Sequence, residues 1–84
     1  MVTVETDVLR ILDSVLSLHG RAVGWQRNTP LLGALPELDS MAVLGIITSL
    51  EEHYAFVIHD DEIDSTAFAT LGSLTDFVSA KLAD

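Results

Sequence analysis

Apolar residues recur at spacings of three and four in separate stretches of this chain, and the one run that could pass for a strand, Ala55 to Ile58, has nothing to pair with. The fold therefore has to be all-α. From Val4 to Leu18 the apolar positions are Val4, Val8, Ile11, Leu12, Val15, Leu16 and Leu18, separated by Asp7, Arg10, Asp13, Ser14 and Ser17. That is an amphipathic helix, with Thr3 placed as N-cap and Gly20 as its terminator. From Asp39 to Tyr54 a second helix carries Val43, Ile46, Ile47, Leu50 and Tyr54 on one face. Met41, Leu44, Gly45, Thr48 and Glu52 lie on the other. Gly45 weakens that helix by about 1 kcal/mol relative to alanine, so it either admits a neighbour or leaves a smooth patch. Ser65 to Leu71 reads as a short helix burying Phe68 and Leu71 and closed by Gly72. Ser73 then caps a last helix with the stripe Leu74, Phe77, Val78 and Leu82.

The intervening segment, His19 to Leu38, contains Gly20, Gly24, Pro30, Gly33 and Pro36 and has no sustained periodicity, so a long ordered loop is expected. Trp25, Leu31, Leu32 and Leu35 are the residues to pin it to the core. Phe56 and Ile58 are expected to be buried after the second helix. Asp60, Asp61, Glu62 and Asp64 follow without the ligand spacing and glycine of a calcium loop, which makes them a solvated acidic loop.

A chain of 84 residues allows one domain, taken as residues 1–84, whose core must use most of its apolar side chains. A hydrophobic content of 49% and a mean hydropathy of +0.41 argue against disorder, while Gly, Pro, Ser and Thr interrupt every apolar run before it could cross a membrane. An early acid, Glu5, and no basic leader before an apolar run point to a cytoplasmic protein. The net charge of -9 repels nucleic acid and anionic lipid and favours basic protein partners. With no cysteine, any thiol chemistry needs a thiol brought from outside.

Enzymatic readings find little support. The three histidines, His19, His53 and His59, form no local metal pair, and a helical bundle of this size has little room for a substrate cleft, so no catalytic or metal-ligating residue is assigned. The pair Asp-Ser occurs three times, but Ser14 falls inside a helix and Ser65 in a turn. Only Ser40 combines a flexible approach with a long helix behind it. There the unpaired N–H groups of a first turn and the positive end of the helix dipole favour an attached phosphodiester, with Asp39 as N-cap. The plainer alternative is that Asp39 is only a cap and Ser40 a tolerated first-turn residue.

Leu38-Asp39-Ser40-Met41, the helix ending Leu50-Glu51-Glu52-His53-Tyr54, then Phe56-Val57-Ile58 and the acids Asp60 to Glu62 together resemble the acyl carrier proteins. The likeness runs from about Val4 to Leu82. It implies a four-helix bundle with a long first loop and a short third helix, carrying 4'-phosphopantetheine on Ser40 beside the capping Asp39. A phosphopantetheinyl transferase would supply that group from coenzyme A. Acyl or aminoacyl cargo would be loaded by an activating ligase and passed, as a thioester, to acyl-processing enzymes. The chain itself would catalyse nothing and would work as a monomer.

By position, Met41, Glu51, Glu52 and Ile58 match family contacts for the basic docking patches of partner enzymes, and Leu44 joins them on the exposed face. The chain departs from carriers of fatty acid synthesis, which usually have further acids in the first two turns where Ala42 and Gly45 stand here. Leu-Asp-Ser looks more like free-standing carriers of specialised pathways. A competing reading is a non-catalytic interaction module of carrier-like fold with no prosthetic group, using the same apolar patch.

Overall fold

A computed structural model describes residues 3–22, 24–59 and 61–83; Asp60 of the expected acidic loop lies outside them. Three helices are found among them: α1, Val4–Leu16; α2, Ser40–Tyr54; and α3, Leu71–Ala83. Helix α1 packs on both of the others, which touch each other only marginally.

The spacing of four that places Val8, Leu12 and Leu16 on one stripe of α1 aims all three into the core, against Ile46 and Leu50 of α2 and Leu71, Leu74 and Val78 of α3. Burying each such side chain contributes about 1.5 to 3 kcal/mol. Thr3 caps α1 as expected, accepting from the Thr6 N–H at 3.1 Å. The helix ends before Gly20, however. Ser17 takes the left-handed conformation, and Asp13 holds the turn with its carbonyl on the Leu18 N–H and its carboxylate on the Gly20 N–H, both at 3.0 Å. Leu18 thereby leaves the helix and enters the core.

The space between α2 and α3 is filled by loops that hydrogen-bond to one another. Leu31 and Leu32 donate to the carbonyls of Ala69 and Phe68, and Leu71 and Gly72 donate to those of Thr29 and Arg27. Pro30 and Thr70 face each other as an isolated bridge. This pairing explains the largest departure from expectation. Residues 65–70 are successive turns rather than a short third helix, because the Phe68 and Ala69 carbonyls serve the first loop and the local bonds span only three residues. Helix α3 then begins at Leu71, with Thr70 as its cap. Thr70 Oγ1 accepts from the Ser73 N–H at 3.1 Å and Ser73 Oγ accepts from the Thr70 N–H at 3.0 Å, a reciprocal capping box. Gly72 is thus inside the first turn and Ser73 is the cap's partner, where the sequence pattern suggested a terminator and a cap.

The far end of α2 is fastened to α1. The Tyr54 hydroxyl donates to Asp7 Oδ2 at 3.1 Å, and His53 Nε2 lies 3.4 Å from the same oxygen. Partial burial and the hydrogen bond to Asp7 push the Tyr54 hydroxyl from its ordinary 10 up to about 12. A pKa raised by folding gives stability that is complete below the unfolded value and lost as pH climbs through the folded one. Denaturant midpoints should therefore fall between pH 10 and about 12, and Tyr54→Phe should fall less steeply across that window. Parallel curves for the two proteins would contradict this.

Candidate functional site

Asp39 adopts extended backbone and turns its carboxylate back to accept the Ala42 N–H at 2.8 Å, while its carbonyl accepts the Val43 N–H at 2.9 Å. Such a cap contributes about 1 kcal/mol. It fixes α2 to begin at Ser40, whose side chain is exposed. Two of the four first-turn N–H groups are then satisfied by Asp39. Those of Ser40 and Met41 find no protein acceptor among the described residues, so two donors and the positive helix end stand beside an exposed hydroxyl. Ser14 and Ser65 are also exposed, but one lies within α1 and the other in the turns before α3.

One turn beyond Ser40, Val43 reaches a cavity of about 180 Å³ lined by Leu32, Val43, Ile63, Asp64, Ser65 and Phe68. Its walls come from α2, the first loop and the segment before α3, so the loop pairing described above shapes it. Asp64 stands at its rim, held below the usual carboxylate range by hydrogen bonds from the Thr66 hydroxyl and N–H. Two ion pairs tie down the surrounding loops: Arg21 lowers the Glu37 carboxyl, and Lys81 at 2.8 Å lowers that of Glu62. At the surface such pairs fix geometry more than they stabilise.

The surface positions read from the sequence separate into two groups. Met41, Leu44 and Glu52 are exposed on one stripe of α2. Glu51 is half-buried and accepts the Ile58 N–H at 2.9 Å, which folds the chain back over the end of α2. Ile58 is consequently in the core at 7% exposure, out of reach of a docking partner, and Phe56 is half-buried. The apolar side chain presented there is Val57, at 61%. Its exposure was available in the alternation of Phe56, Val57 and Ile58, two facing in and one facing out. Gly45, set on the exposed face by its spacing, instead packs against α1, with Val15 Cγ1 3.1 Å from where a Cβ would stand.

Among the described residues no group of three or more His, Asp or Glu side chains is arranged to hold a metal ion, and no helix is long and apolar enough to cross a membrane. No protein-family model matches the chain, and no curated protein matches it. Among solved structures it is similar to the solution NMR structure of holo acyl carrier protein NE2163 from Nitrosomonas europaea. The two align over 100% of each chain with a TM-score of 0.88 and 48% sequence identity.

Proposed function

The chain belongs to the acyl carrier protein family, a family of carriers and not of enzymes, and from that we propose that Ser40 is the residue bearing its prosthetic group, 4'-phosphopantetheine. The observation that carries this reading is the exposed Ser40 hydroxyl at the start of α2, beside two N–H groups with no protein acceptor among the described residues. A phosphodiester on Ser40 Oγ could accept from the Ser40 and Met41 amides. Asp39, already bonded to Ala42, supports that turn without competing for those donors. The group supplies the thiol that this cysteine-free chain lacks, to which acyl or aminoacyl cargo is joined as a thioester.

A phosphopantetheinyl transferase would make the attachment from coenzyme A: the Ser40 oxygen would form the new bond to phosphorus as the phosphoanhydride breaks and adenosine 3',5'-bisphosphate leaves, and the hydroxyl proton would pass to a base of that enzyme. The cavity next to Val43 would receive the first carbons of the cargo. The uncharged first turns of α2, where Ala42 and Gly45 stand, favour dedicated partners over those of fatty acid synthesis. The carrier would then serve a specialised pathway, as a monomeric single domain in the cytoplasm, meeting an activating ligase and acyl-processing enzymes.

Incubation of the apo protein with coenzyme A and a broad-specificity phosphopantetheinyl transferase tests the assignment. One phosphopantetheinyl mass should appear on the wild type and none on Ser40→Ala. An unlabelled wild type, or a labelled Ser40→Ala, would overturn it.

A further inference from the structure

Resting on the assignment of Ser40, we infer that the enzymes acting there grip the first turns of α2 by an apolar contact and meet that helix's own carboxylates only at its far end. The chain carries a net charge of -9, yet none of it falls between Ser40 and Leu50, eleven consecutive uncharged residues. On the exposed stripe the order is Met41, Leu44, Thr48, Glu52, apolar at the serine and acidic three turns away. Met41 is 74% exposed and Leu44 58%. The rise from Met41 to Glu52 is about 16 Å, two Debye lengths at physiological salt, so Glu52 attracts little at the serine itself.

Of the three carboxylates near the serine only Glu37 is matched by a cation among the described residues; Asp39 and Asp64 keep their charge, since their bonds are to N–H and hydroxyl groups. Asp39 caps α2, and Glu37 is paired with Arg21. Asp64, across the cavity from Val43, is bonded to Thr66. The partner that fits has a hydrophobic socket at its active-site rim for Met41 and Leu44 and a cation about 16 Å along the groove for Glu52. A second copy of this chain fits poorly, since it brings the same charge of -9 to the contact.

The test uses the full-length protein, coenzyme A and a broad-specificity phosphopantetheinyl transferase, with salt raised from about 0.02 to 0.5 M to shorten the Debye length several-fold. Met41→Ala and Leu44→Ala should each raise KM by about tenfold at unchanged kcat, as hot-spot truncations do, whereas Leu44→Met should stay near wild type. Glu52→Gln, which removes a rim charge, should lower kcat/KM by about two- to threefold, less than either truncation, and the Leu44→Ala loss should persist across the salt range, as expected of an apolar contact. A larger loss from Glu52→Gln than from Leu44→Ala, or a Leu44→Ala loss that vanishes at high salt, would overturn the inference. Ser40→Ala protein, used as a competitive inhibitor of the transferase acting on an unrelated carrier that it does label, reads the same surface without modification. Should Ser40 accept no group, the functional assignment fails, while the competitor's dependence on Leu44 still judges the docking face; a Ser40→Ala protein that does not compete overturns it.

Discussion

Leu31→Ala should destabilise the protein by about 3 kcal/mol, although Leu31 belongs to a loop. Its side chain is fully buried, and truncating a buried leucine costs about 2 to 5 kcal/mol, as lost transfer energy and a residual cavity. The Leu31 N–H also donates to the Ala69 carbonyl at 2.9 Å, so the same residue joins the first loop to the segment before α3. For 84 residues a total stability of about 4 to 13 kcal/mol is typical, so the variant should lose a large share of it. Leu32→Ala is the control. Leu32 is 42% exposed, and its removal should stay within about 0.5 kcal/mol. Urea denaturation of the two variants checks both, and equal midpoints would show that the loop is not fastened as described.

Gly72→Ala should lower stability by about 2 kcal/mol, or roughly 10 °C in melting temperature, even though alanine ordinarily improves a helix. An added Cβ would stand 2.8 Å from the Arg27 carbonyl oxygen and 3.1 Å from Arg27 Cβ, so backbone has to move. Moving it strains the bonds from Gly72 to Arg27 and from Leu71 to Thr29, and with them the Arg27–Asp76 pair. Gly45→Ala makes the contrast. There the added methyl meets only the tip of Val15, which can shift by a rotamer adjustment, and alanine's helix preference offsets the crowding to within about 1 kcal/mol. Calorimetry on both should separate them clearly; similar melting temperatures would contradict the proposed close approach at Gly72.

The parts of the fold legible in the sequence are those decided by neighbours along the chain. Thr3 and Asp39 cap their helices through side chains reaching three residues ahead, and the stripes Val8, Leu12, Leu16 and Ile46, Leu50 follow from periodicity alone. The start of α3 was not legible. Its first N–H groups are satisfied by Arg27 and Thr29, more than forty residues away, and the acceptor at the third helical position is Ser73 rather than the glutamate that marks a capping box. The same long-range pairing turned an expected short helix into a string of turns.

At the site, Ser40, Asp39, Met41, Leu44 and Glu52 occupy the surface positions their spacing implied. Glu51 and Ile58 do not, because one carboxylate turns back to close a loop, and nothing in the spacing of charges announces that choice. The cavity beside Val43 was equally hidden, since its walls come from three segments distant in sequence.

The most direct test of the account is the mass of the protein purified from the cell that makes it, followed by peptide mapping. One phosphopantetheinyl group, bare or bearing cargo, should be found on the peptide containing Ser40. A protein that carries no such group while its pathway is running, or that carries it on any other residue, would contradict the account.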